Sequence, residues 1–406
     1  MASNHSSSSS SSPNLLTIII DITPSTWGHR NLIRSAKDKA MAAKNKPSAG
    51  PATLMDDVLT AILALSVSFS CLNRDNALVI IATTEYEASV IYPRKGGEGS
   101  MEDVVMGGSS GECGERVDAG LLHDYVKLGV TELVNRAAER AEKLGQQQQV
   151  QDGEGKEEGE GATNSKVLSS TKKGAAIASA LSIALCTINR FMVAHHAGVS
   201  ALADTSSLSQ RKDDEGVLAL MGGGNGNKNG SSSNQSQNND SRGVLSSRAL
   251  IIQASQDRTS DYNALMNCAF AANKSDIVID GCFIPSGDKN DPKTSPFLEQ
   301  IVDQTRGVYL SVPSGAAQVG GALSEVLMSV FLPPPSIRSN MNLPKLNNVD
   351  FRARCFETGE SIDVAQICNQ CLSIFKEKPK DNCLTCGAKV KKRSVSSGGS
   401  KRMKVQ

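Results

Sequence analysis

Unbroken runs of β-branched and aliphatic residues alternate with longer stretches of helical periodicity along most of the chain. Leu15–Ile20 (LLTIII), Ala77–Ala82 (ALVIIA) and Arg248–Gln253 (RALIIQ) predict strands buried on both faces. Ile277–Phe283 and Gly307–Val312 add two strands, and Ala88–Tyr92, a short turn after the second run, predicts an antiparallel edge strand. Helical patterns cover Leu54–Leu72, Leu121–Leu144, Gly174–Ala194, Asp261–Asn273, Pro296–Thr305 and Ala316–Phe331. Parallel neighbours need crossovers, and a sheet apolar on both faces needs cover on both. The alternation therefore implies an α/β domain with a doubly wound, mainly parallel sheet.

Low-complexity segments interrupt this pattern. The Ser run at 6–12 and segments near 95–114, 146–161 and 205–243 are too polar or glycine-rich to offset their ordering entropy by burial. They read as a disordered start (1–13) and three loop insertions within a large domain spanning 14–332. Pro333, Pro334 and Pro335 end the last helix and open an extended linker, 333–350. A small cysteine-bearing module follows at 351–388, then a basic disordered tail at 389–406.

Composition narrows the function classes only modestly. The 406 residues carry a formal net charge of +1, which averages an acidic stretch near 153–161 against the basic tail. The N-terminal Ser run lacks the apolar core of a secretory signal, and no apolar stretch is read as membrane-spanning, so a soluble intracellular protein is expected. Phosphate-binding, nucleophile-elbow, zincin and dinucleotide motifs are not found in usable contexts, and no enzyme chemistry is assigned.

Ten cysteines in a reducing compartment point to metal where they cluster. Cys368 and Cys371 form one C-x2-C pair, Cys383 and Cys386 another, with eleven residues between. Each pair can turn two sulfurs toward one ion, and two pairs complete a closed tetrahedral site for structural zinc; unpaired thiols in a hairpin are the plainer alternative. Gly387 suits a left-handed position after the second pair. Cys355 could join the shell or simply be buried, burial being the preferred reading. Five cysteines in this region, without a histidine after His196, cannot supply the eight ligands of a cross-braced two-zinc module.

The other candidate chemistry lies just past the first strand, where open α/β sheets place their ligands. Asp21, Thr23 and Ser25 offer hard oxygens suited to a divalent cation, and Asp257 follows a later strand; Thr171 is a further candidate. The competing reading is a Pro-bearing helix start in which Thr23 or Ser25 caps backbone N–H groups. Trp27, the one tryptophan, reads as a core or loop anchor.

The spacing of Asp21, Thr23 and Ser25 resembles the metal-adhesion motif of von Willebrand A domains, with Thr in place of the first Ser. With the proline linker, Val349-Asp-Phe-Arg-Ala-Arg-Cys355, CNQCLSIF and CLTCGAKV, the chain resembles the smaller von Willebrand A subunit of the TFIIH core, the Tfb-four family. LLTIIIDITPSTW, GAAIASALSIALCTINR, GVYLSVP and VFLP carry the same resemblance. It implies a non-catalytic scaffold for RNA polymerase II transcription initiation and nucleotide excision repair. It also implies docking onto the larger von Willebrand A/zinc-finger subunit, in the nucleus. The alternative is a metal-dependent, ligand-binding A domain outside TFIIH. Lys389–Arg393 and Lys401–Lys404 suit nuclear import, while DNA contact is expected to be indirect or weak.

Overall fold

Side chains alternate across a strand, so a run apolar at every position must be covered on both sides. In the computed structural model, strands β1 (Asn14–Asp21), β2 (Ala77–Thr83), β3 (Ala88–Tyr92), β4 (Ser246–Gln253), β5 (Val278–Phe283) and β6 (Tyr309–Ser311) obey this rule. They form one six-stranded sheet in the order β3-β2-β1-β4-β5-β6, with β3 antiparallel and the other pairings parallel. Leu15 and Ile19 enter the core on one face, Leu16, Ile18 and Ile20 the core on the other. The structure describes residues 13–42, 54–73, 75–93, 119–153, 174–197, 245–286, 293–312, 322–343, 349–358, 360–379 and 382–389. The Ser run, 95–114, 205–243, Thr171 and the tail beyond 389 lie outside them.

Helices α1 (Pro24–Ala42), α2 (Met55–Leu72), α3 (Ala119–Gly153), α4 (Ile177–Ala197), α5 (Tyr262–Lys274), α6 (Pro296–Gln304) and α7 (Ala322–Phe331) supply the cover. Leu181 and Ile188 of α4, Leu265 of α5 and Ile301 of α6 fill one core; Ile62 and Phe69 of α2, Val126 of α3 and Leu327 of α7 fill the other. This is the doubly wound α/β sheet expected from the sequence.

Several elements depart from the sequence reading. Helix α1 begins where the competing reading put a Pro-bearing helix start, but its length was not read from the sequence, because its polar residues obscure the periodicity; Pro24 at its start has the fixed φ that a first helical turn requires. Helix α3 continues beyond Leu144 through Gly153, into the segment expected to be a loop. Gln is a good helix former, and extending an existing helix needs no new nucleus. Contrary to the reading that no apolar stretch reaches spanning length, Met55–Leu72 and Ile177–His195 are long and apolar enough to cross a membrane. Both pack against the sheet, with Ala61, Leu65, Leu181 and Ala184 fully buried there. Strand β6 is shorter than predicted, and a Cβ at Gly307 would stand 1.9 Å from the Ile279 carbonyl.

The proline linker is partly helical rather than extended: α8 (Pro335–Arg338) starts on a proline. Two arginines explain its position. Arg248 donates to the carbonyls of Phe331 (2.5 Å), Leu332 (2.8 Å) and Pro333 (3.0 Å), groups that the end of α7 leaves without helical partners. Arg338 binds both oxygens of the fully buried Asp280 at 2.7 and 2.6 Å, and Asp280 also accepts the Val308 N–H at 2.9 Å. Burial pushes the Arg248 guanidinium down to about 10, partly opposed by Asp280, so it stays charged at neutral pH. Beyond the linker, β7 (Ala353–Arg354) pairs with β8 (Ser361–Ile362), and β9 (Gln366–Ile367) with β10 (Ile374–Phe375).

Removing Arg338 takes both short ionic hydrogen bonds from the buried Asp280 and leaves only the longer 3.9 Å contact with Arg248. Arg338→Met should lower the unfolding free energy by about 3 kcal/mol in urea denaturation, and Ile337→Ala, on the exposed side of α8, by less than about 1 kcal/mol.

Candidate metal centre

A module of so few residues builds only a small core, here Phe356, Phe375 and Cys383, so its shape depends on its turns. Two of those turns are knuckles of the same construction. Cys368 N–H donates to Ser373 O at 2.9 Å and Leu372 N–H returns to Cys368 O at 2.9 Å; Cys383 N–H donates to Ala388 O at 2.8 Å and Gly387 N–H returns to Cys383 O at 2.9 Å. The residue after each second cysteine is left-handed, Leu372 with φ 60° and Gly387 with φ 71°. Gly387 announced this in the sequence; Leu372, a residue disfavoured there, did not.

The sulfurs of Cys368, Cys371, Cys383 and Cys386 converge to within 4.8 Å of one another. Cys368 and Cys386 are 3.8 Å apart and Cys371 and Cys383 3.6 Å. Four thiolates about 2.3 Å from a common tetrahedral centre stand about 3.8 Å from each other, so the spacing fits one metal ion and leaves no open position. The N–H groups of Cys371 and Gln370 hold the Cys368 thiol down to about 6, favouring the thiolate a metal requires, whereas burial raises Cys383. Cys355 lies outside this group: it is 1% exposed and its sulfur accepts the Lys376 N–H at 3.3 Å.

The strand-end residues are brought together in a different way. Both oxygens of the buried Asp21 carboxylate are occupied by protein donors. Oδ1 accepts the Thr23 N–H (3.0 Å) and hydroxyl (2.6 Å), and Oδ2 accepts the N–H groups of Ala254 (3.0 Å) and Ser255 (2.7 Å). Thr23 gives its hydroxyl proton to Asp21, and Ser25 is hydrogen-bonded to Glu85. Trp27, 6% exposed, donates to Asp21 O at 2.9 Å; Arg30 stacks on its ring and donates to Ala254 O (2.8 Å) and Ile284 O (2.6 Å). Side chains from α1 thus fill the crevice where a ligand would enter.

Asp257 is committed elsewhere. Its carboxylate accepts from Ser295 Oγ (2.5 Å), Gln253 Nε2 (2.8 Å) and Phe297 N–H (3.1 Å), tying the end of β4 to the start of α6. Burial raises its pKa against those bonds and against the nearby Arg354. Sequence reasoning found Asp21 and Asp257 but missed Arg30, which acts from the body of a helix whose start alone was read, and Glu85, the partner of Ser25. Asp21→Ala leaves four donors without an acceptor and should lower the unfolding free energy by about 3 kcal/mol or more, against less than about 1 kcal/mol for Ser25→Ala, both measured in urea.

Comparisons with known proteins place the chain in a family. The chain is 28% identical over 401 residues to the general transcription and DNA repair factor IIH subunit TFB4 of Debaryomyces hansenii, covering 95% of this chain and 87% of that protein. It is 40% identical over 149 residues to the corresponding subunit of Schizosaccharomyces pombe, covering 37% of this chain and only 46% of that protein. A crystal structure of the TFIIH p34 N-terminal domain aligns at 18% identity and a TM-score of 0.42, over 78% of this chain and 98% of that one. The family model for transcription factor Tfb4 matches residues 13–387, taking in the sheet, the linker and all four clustered cysteines, and the chain belongs to the Tfb4 family.

Proposed function

We propose that this chain is a non-catalytic structural subunit of general transcription and DNA repair factor TFIIH, acting in the nucleus through protein–protein docking. Its work is to hold the core of that assembly together for RNA polymerase II transcription initiation and nucleotide excision repair. The larger subunit that joins a von Willebrand A domain to zinc modules is its direct partner, and contact with DNA is indirect or weak.

The observation that carries this reading is the family match over residues 13–387. The site geometry supports it. Open α/β sheets bind ligands at the carboxyl ends of their strands, and here Asp21, Trp27 and Arg30 close that crevice. This counts against the alternative of a metal-dependent, ligand-binding A domain. In the cysteine module, Cys368, Cys371, Cys383 and Cys386 would hold zinc, whose role with four protein ligands is to contribute folding energy.

The test is purification of the tagged full chain from nuclear extract, with metal analysis of the product. One zinc per chain and stoichiometric recovery of the larger A-domain subunit are expected, and Cys371→Ser should lose the zinc. A zinc-free product, or one lacking that subunit, contradicts the proposal.

A further inference from the structure

The two zinc-type knuckles have a counterpart earlier in the module. Cys355-Phe-Glu-Thr358-Gly-Glu360 aligns with Cys368-Asn-Gln-Cys371-Leu-Ser373 and Cys383-Leu-Thr-Cys386-Gly-Ala388. The hydrogen bonds repeat with it. Cys355 N–H donates to Glu360 O at 2.9 Å, as Cys368 does to Ser373 and Cys383 to Ala388. In all three turns the first sulfur accepts N–H groups from the residues two and three positions on: Glu357 and Thr358, Gln370 and Cys371, Thr385 and Cys386. Thr358 stands where the other turns have their second cysteine.

Among the described residues, no second pair of ligands faces this turn. The Lys376 N–H also donates to Cys355 Sγ at 3.3 Å, and the Lys376 ammonium is bound to Glu360 at 2.8 Å. One sulfur alone is not a metal site, since a closed zinc site needs four ligands.

What the turn holds instead is the rest of the chain. Phe356, between Cys355 and Glu357, is 6% exposed and shares a core with Phe375 and Cys383, and Tyr262 at the start of α5 packs against it. Its carbonyl accepts the Thr259 hydroxyl at 3.0 Å, in the short 3-10 turn Thr259–Asp261. Alongside, Gln300 of α6 donates to Asp350 O at 2.5 Å, and the Arg354 guanidinium favours the charged forms of Asp257 and Glu299. An apolar plug, a hydrogen bond and a cation beside two carboxylates thus meet on one face of the sheet domain.

We propose that the Cys355–Glu360 turn is a third knuckle that holds no metal and serves as the key docking the cysteine module onto its own chain, at Thr259 and Tyr262. Because Cys383 belongs to the same small core as Phe356, the key is firm only while the metal ligands are held together. Metal occupancy is thereby coupled to the exposure of the Thr259–Tyr262 surface. The coupling rests on the zinc reading above; the docking contact itself is read from the contacts described here.

Hydrogen exchange on the full chain, with metal analysis of each sample, tests it. Cys355→Ser should keep one zinc per chain. Thr259→Val should also keep its zinc but exchange about fivefold faster in peptides covering 259–265 and 350–358, with β1 and β4 unchanged. Phe356→Ala should raise the same rates at least about tenfold. Chelation of the wild type should expose the 259–265 peptide as well. Zinc loss in Cys355→Ser shows that this sulfur is a ligand and overturns the metal-free knuckle. Unchanged exchange in Thr259→Val at full zinc content overturns the docking key. A zinc-free wild type fails the zinc reading and with it the coupling, while the Thr259→Val result still decides the contact.

Discussion

The Asp21 carboxylate is the constraint on which the sheet domain depends. Four donors from two stretches of chain converge on it, binding the end of β1 to the end of β4 at the point where the strand order reverses. In a doubly wound sheet that point is where a ligand would be held. Here the residue best suited to a cation spends all its acceptor capacity on backbone and hydroxyl donors, and α1 lays Trp27 and Arg30 over the remainder. A buried carboxylate so used contributes to the fold and is unavailable for chemistry.

The other end of the chain follows a similar logic with different atoms. Asp280, between Arg248 and Arg338, fixes how the chain leaves the sheet domain, and the proline run positions the short α8. The cysteine module then uses sulfur where the larger domain uses apolar area. Two knuckles bring four sulfurs to metal-binding distance, and the third, without a second cysteine, is joined to the sheet domain through Phe356.

The sheet was legible because β1, β2 and β4 each carry consecutive apolar residues (Ile18–Ile20, Ala77–Ala82, Ala249–Ile252), a pattern that a strand buried on both faces produces and few other arrangements tolerate. The edge strand Ala88–Tyr92 and the paired cysteines were legible from spacing. The length of helix α1 was not, since its charged positions mask the apolar stripe beyond the Pro-bearing start, nor was the extension of α3, whose Gln run continues a helix already formed and needs no new nucleus. The state of the strand-end site was beyond reach for a related reason. Asp21, Thr23 and Ser25 have the same spacing whether their oxygens face a cation or each other, and the outcome depends on N–H groups of Ala254 and Ser255, more than two hundred residues away. Leu372 in a left-handed conformation gave no signal at all, because its residue type argues against it.

Calorimetric titration of magnesium into the folded full chain measures most directly whether the Asp21 crevice is closed. No heat beyond dilution is expected for the wild type, and none for Asp21→Ala. Micromolar binding to the wild type that disappears in Asp21→Ala would show an open cation site and contradict the closed platform.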